Sequence, residues 1–142
     1  MNSRLKVLLA GSVTLTAFVQ PAFADDFSCQ GPIGNKHINA NIKVPSGANC
    51  GLNGTRVDGN IEVFQNATLV LKNAQIDGNV ISKQASKLQI SDSRIDGNIE
   101  AKTYTPSFSV KNTIVDGNIV CGQGSRLKGG NNRVDGDIEC PR

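Results

Sequence analysis

From residue 37 onward, apolar and polar residues alternate in short runs, and β-branched residues fill most of the apolar places. Ile42-Lys43-Val44, Ile61-Glu62-Val63 and Ile99-Glu100-Ala101 are typical. Alternation of period two marks half-buried strands. Gly, Asn and Asp interrupt every run, at a density that stable helices do not tolerate. The chain is therefore expected to be all-β, built from short strands between turns.

The alternation is itself periodic. Six hexapeptides align: His37-Ile-Asn-Ala-Asn-Ile42, Arg56-Val-Asp-Gly-Asn-Ile61, Gln75-Ile-Asp-Gly-Asn-Val80, Arg94-Ile-Asp-Gly-Asn-Ile99, Ile114-Val-Asp-Gly-Asn-Ile119 and Arg133-Val-Asp-Gly-Asp-Ile138. Their third positions are Asn39, Asp58, Asp77, Asp96, Asp116 and Asp135, at steps of 19, 19, 19, 20 and 19 residues. A period this constant marks a repeat array, in which each unit buries its apolar face only against its neighbours. Leucine-rich repeats have a similar period, but their fixed leucines are missing here.

Stacking the units produces apolar columns. Ile38, Val57, Ile76, Ile95, Val115 and Val134 precede the Asp column. Ile42, Ile61, Val80, Ile99, Ile119 and Ile138 follow it. Leu69, Leu88, Phe108 and Leu127, then Leu71, Ile90 and Val110, come later in the unit. These are the expected inward ladders of a narrow core. A 19-residue unit offers roughly 60 Å of contour at about 3.3 Å per residue, which suits a flattened or triangular loop. The expected fold is a single-stranded right-handed parallel β-helix, or β-solenoid, of about six coils of 19–20 residues. Six coils at the strand spacing make a rod roughly 25–30 Å long.

Two turn columns are legible. Gly59, Gly78, Gly97, Gly117 and Gly136 follow the Asp column, where a close backbone approach or a positive φ is expected. Asn73, Asp92, Asn112 and Asn131 form the other, and their stacked amides are expected to bond along the rod axis. The one insertion falls near Thr103–Ser107 and is expected to bulge from the surface.

The first 24 residues read differently. Arg4 and Lys6 precede an apolar run from Val7 to Val19, and Ala22-Phe23-Ala24 precedes Asp25. That order is expected of a cleaved secretory signal. The run is too short to span a bilayer comfortably. The expected organisation is a signal over 1–24, an N-terminal cap over 25–36 and the solenoid over 37–142. No transmembrane span is expected after cleavage, and the destination is periplasmic or extracellular. Without residues 1–24 the chain keeps 118 residues, 13 of its 15 basic side chains and all 12 acidic ones, so its charge falls from +3 to +1. No basic patch or aromatic stacking platform is then expected for nucleic acid.

The register assigns the cysteines. Cys121 and Cys140 each lie five residues after their column Asp, so they occupy equivalent places in adjacent coils. Cys29 and Cys50 are 21 residues apart, close to one coil. Disulfides Cys29–Cys50 and Cys121–Cys140 are expected, each clamping a terminal coil. A metal site would need closely spaced Cys or His pairs, and the only histidine is His37. No metal or cofactor is expected.

Candidate surface chemistry lies in ladders. Arg56, Arg94 and Arg133 begin alternate hexapeptides, and Glu62, Glu100 and Glu139 follow the same ones. Skipping a coil separates like charges by about 10 Å, which relieves repulsion. Asp58, Asp77, Asp96, Asp116 and Asp135 do not skip. Five carboxylates about 5 Å apart need hydrogen bonds, arginine partners or cations. Bonds from the following Gly and Asn amides are expected, and calcium bridging is the sharper alternative. The nearly constant coil length leaves no room for a deep cleft, so the chain is expected not to be an enzyme.

Val57-Asp-Gly-Asn-Ile-Glu-Val63 and Ile95-Asp-Gly-Asn-Ile-Glu-Ala101 resemble the repeat of bactofilins. The resemblance extends over roughly residues 37–140. It implies a β-helical rod that self-associates without nucleotide. Bactofilins work in the cytosol and lack these cysteines, so the exported disulfide-bonded chain departs from them. Two function classes follow: a structural or self-associating envelope element, and a binding module for envelope glycan or another surface ligand. Pro141 cannot donate to a further strand, so the C-terminal end is expected to be capped.

Overall fold

The computed structural model describes residues 26–141, so the expected signal segment falls outside the described residues. All regular structure within them is strand. No helix among them is long and apolar enough to cross a membrane. The strands wind into a parallel β-solenoid of about six turns with three sheets, which we call faces A, B and C.

Face A stacks Phe27–Ser28, Ile42–Val44, Ile61–Val63, Val80–Ser82, Ile99–Ala101, Ile119–Cys121 and Ile138–Glu139. Face B stacks Pro32–Ile33, Asn49–Asn53, Thr68–Lys72, Lys87–Ser91, Ser107–Lys111 and Leu127–Lys128. Face C stacks His37–Ile38, Arg56–Val57, Gln75–Ile76, Arg94–Ile95, Ile114–Val115 and Arg133–Val134. Every pairing is parallel and follows the hexapeptide register: Val80 sits between Ile61 and Ile99, and Leu88 between Leu69 and Phe108. The expected inward columns form the core. Ile61, Val80, Ile99, Leu69, Leu88, Val57, Ile76 and Ile95 have no accessible surface. Burying one such side chain stabilises the fold by about 1.5–3 kcal/mol.

The three corners have different chemistry. At the C–A corner the glycines serve close approach rather than positive φ. A Cβ on Gly97 would lie 2.6 Å from the Gly78 carbonyl oxygen and would also strike the Asn79 carboxamide. At the B–C corner, Gly54, Asn73, Asp92, Asn112 and Asn131 all have positive φ. That is the left-handed turn Asn and Asp tolerate. Inside this corner Thr55, Ser93 and Thr113 spend their hydroxyls on backbone groups. Thr55 Oγ1 donates to the Gly34 carbonyl at 2.7 Å, and the Ala74 amide donates to Ser93 Oγ at 3.1 Å.

The insertion lies at the A–B corner and divides its residues. Tyr104 projects, 56% exposed, as a bulge would. Thr105 turns inward, where its hydroxyl lies 2.8 Å from Ser82 Oγ and its amide donates to Ser125 Oγ at 2.8 Å. The extra residue thus extends a buried hydroxyl row as well as a loop.

Both expected disulfides are present, Cys29–Cys50 and Cys121–Cys140, with Cα separations of 5.5 and 4.8 Å. They suit an oxidising compartment. Phe27–Ser28 and Pro32–Ile33 pair with faces A and B, so the segment before the first hexapeptide lies on the end of the stack. The expected capping of the other end is not what the last described coil shows. Ile138 is 52% exposed, and it bounds an open depression of about 340 Å³ with Leu127, Cys140 and Pro141. The disulfide ties the last coil down from the side without covering its apolar rungs.

Candidate functional site

The Asp column lies at the edge of face C, and its arginines explain why they skip. Arg56 Nε donates to Asp58 of its own coil at 3.3 Å, and its Nη2 donates to Asp77 of the next coil at 3.2 Å. Arg94 repeats this, with Asp96 at 2.9 Å and Asp116 at 2.6 Å. One guanidinium carries donors in a planar fork, so it spans two carboxylates about one strand spacing apart. An arginine is therefore needed in alternate coils only. Arg133 lies 3.5 Å from Asp135, and His37 Nε2 donates to Asp58 at 2.8 Å.

The carboxylates thus face arginine and His37 side chains rather than the amides that follow them. Those amides have another partner. The Asn60, Asn79, Asn98, Asn118 and Asp137 amides donate to the side-chain oxygens of Asn41, Asn60, Asn79, Asn98 and Asn118, at 2.7–2.9 Å. This is the amide ladder expected at Asn73, displaced to the fifth hexapeptide position. Its signal was the near-constant Asp-Gly-Asn triplet.

Electrostatics follow from these contacts. The hydrogen bond from His37, aided by Arg56, holds the Asp58 carboxyl below the ordinary range. Lys43, 2.9 Å away, does the same for Asp26. Asp58 in turn raises the Arg56 guanidinium, and Asp96 raises Arg94. One atom stands apart: Asp77 Oδ1 is buried without a hydrogen-bond partner. Among the described residues, no group of three or more His, Cys, Asp or Glu side chains is placed to hold a metal ion.

The glutamates occupy face A. Glu62 pairs with Lys83 at 2.6 Å, and Glu100 lies 3.7 Å from Lys102. The Lys83 ammonium also sits 5.3 Å from the Phe64 ring centre, within cation–π range. Glu139 lies on the exposed final strand, directly beside Val120. The arginine, aspartate and glutamate ladders therefore lie where the repeat places them, on two adjacent faces. They form neutralising rows along the rod rather than one converging pocket.

The architecture defines a class, the disulfide-clamped parallel β-solenoid. Comparison with known proteins finds no matching family model, no matching curated protein and no matching solved structure. The likeness to bactofilins stays with the hexapeptides that carry it.

Proposed function

We propose that the protein is an exported, non-enzymatic structural element of the cell envelope that self-associates through the ends of its solenoid. The observation that carries this reading is the uncovered last coil of the described residues. Ile138 is half exposed, Leu127 and Val134 are only partly buried, and each sits on the free edge of its sheet. Unpaired parallel edges with apolar rungs are templates for another chain. At the opposite end Phe27 is 41% exposed on the first strand of face A. A second copy placed head to tail would continue all three sheets and bury both apolar ends.

Sedimentation velocity and electron microscopy of the exported, disulfide-bonded protein test the reading. Concentration-dependent oligomers or short filaments are expected, and Ile138→Lys should return the protein to monomer. A wild-type protein that stays monomeric at every concentration would overturn it.

A further inference from the structure

Face B is the broadest side of the rod, with strands of five residues, and its charge is unlike that of the other two. Its outward positions include Lys72, Lys87, Lys111 and Lys128, all exposed. Among the described residues none of these four takes part in an ion pair, whereas Lys43, Lys83 and Lys102 on the face A side all do. The described carboxylates lie on faces A and C and their shared corner, except Asp92 at the B–C corner. Face B thus presents four cations, with Asp92 at its corner as the one described carboxylate beside them. We propose that face B binds a linear acidic polysaccharide through Lys72, Lys87, Lys111 and Lys128.

Register sets the spacing. Lys72 and Lys111 share a column, separated by Ser91, so they stand about 10 Å apart. A rigid parallel sheet holds that interval, and an extended chain whose acidic sugar recurs at intervals can match it without ordering the protein on binding. Lys128 lies in the next outward column and Lys87 in the one beyond it, and both widen the cationic strip. Between the lysines stand Thr68, Gln89, Ser107 and Ser109, short donors and acceptors suited to sugar hydroxyls. Gly51 leaves open space on the outer surface, and a shallow depression of about 270 Å³ runs there between Pro32, Asn49, Thr68 and Val70. Tyr104 projects from the corner that leads into Ser107–Lys111 and offers an aromatic ring to a sugar face. Flatness, hydroxyl-matching side chains and that ring favour a glycan over a polyphosphate chain. The end-to-end reading is not needed, since face B is complete on one monomer.

The test uses the disulfide-bonded protein and a fluorescent oligogalacturonate, with a dextran fragment and an inorganic polyphosphate for comparison, at about 0.1 M salt where the Debye length is about 10 Å. Saturable binding of the oligogalacturonate and none of dextran is expected. Replacing Lys72, Lys87, Lys111 and Lys128 together by Gln should weaken it about tenfold or more. The same charge change at Lys36, Lys43, Lys83 and Lys102 should leave it within about twofold. All eight positions are on the surface, and melting curves will confirm that both variants are folded. No saturable binding, an equal loss in both variants, or tighter binding of polyphosphate that ignores Tyr104→Ser would overturn the proposal.

Discussion

Asp58 accepts hydrogen bonds from the His37 and Arg56 side chains, and its carboxyl is held below the ordinary range by His37 first. A carboxyl lowered in the folded state stabilises the fold above its unfolded pKa, and that contribution disappears as pH falls through the folded one. The melting temperature of the wild type should therefore exceed that of Asp58→Asn at neutral pH. The gap should close between about pH 5 and pH 2, as thermal scans across that range can read. Asn79 provides a second residue-scale case. Its Oδ1 accepts the Asn98 amide at 2.8 Å and the Asn98 side-chain amide at 3.3 Å. Asn79→Ala strips a partly buried N–H of its partner and should cost about 1–3 kcal/mol in urea unfolding. Asn79→Asp keeps the acceptor and should cost less. Gly97→Ala should be at least as harmful as Asn79→Ala, because its Cβ would meet backbone that cannot retreat.

Elements in this fold differ by position in the stack rather than by type. The strand Lys87–Ser91 has a partner on each side, and Leu88 is wholly buried between Leu69 and Phe108. Leu88→Ala should destabilise the protein by about 2–5 kcal/mol. Leu127 holds the same column at the end, with a partner on one side only, and is partly exposed. Leu127→Ala should cost well under half as much in the same denaturation experiment. The disulfides act on these weak ends. Their sequence separations of 21 and 19 residues correspond to about 3 kcal/mol each in the chain-entropy picture. Reduction should raise amide hydrogen exchange in residues 114–139 and 27–44 well before it touches residues 75–101.

Among the described residues, each strand pairs only with the equivalent strands of adjacent coils, so stability is close to a sum of nearest-neighbour terms. Exchange should be slowest in the coils from Gln75 to Ala101 and fastest beyond Arg126, with opening spreading from the C-terminal end. The repeat made this architecture legible. A 19-residue step fixes the register, so the columns of Ile61, Val80 and Ile99 and the pairing of Cys121 with Cys140 follow from the spacing alone. The surface was harder to read, because a repeat says which residues stack and not which way their polar atoms turn. The Asp–Gly–Asn corner shows the difference. The roles of its aspartate and asparagine depend on which one faces the arginine and which one faces the next coil's amide.

By itself the sequence determined the strand period, the coil length, the stacked core and both disulfides, because each follows from residue spacing along one dimension. Only the tertiary structure decided that one arginine serves two coils, that Thr105 turns inward beside an exposed Tyr104, and that the last described apolar rung stands uncovered. It also gathered four exposed lysines on a single face. These outcomes depend on side-chain direction and reach around the coil, which spacing along the chain does not specify.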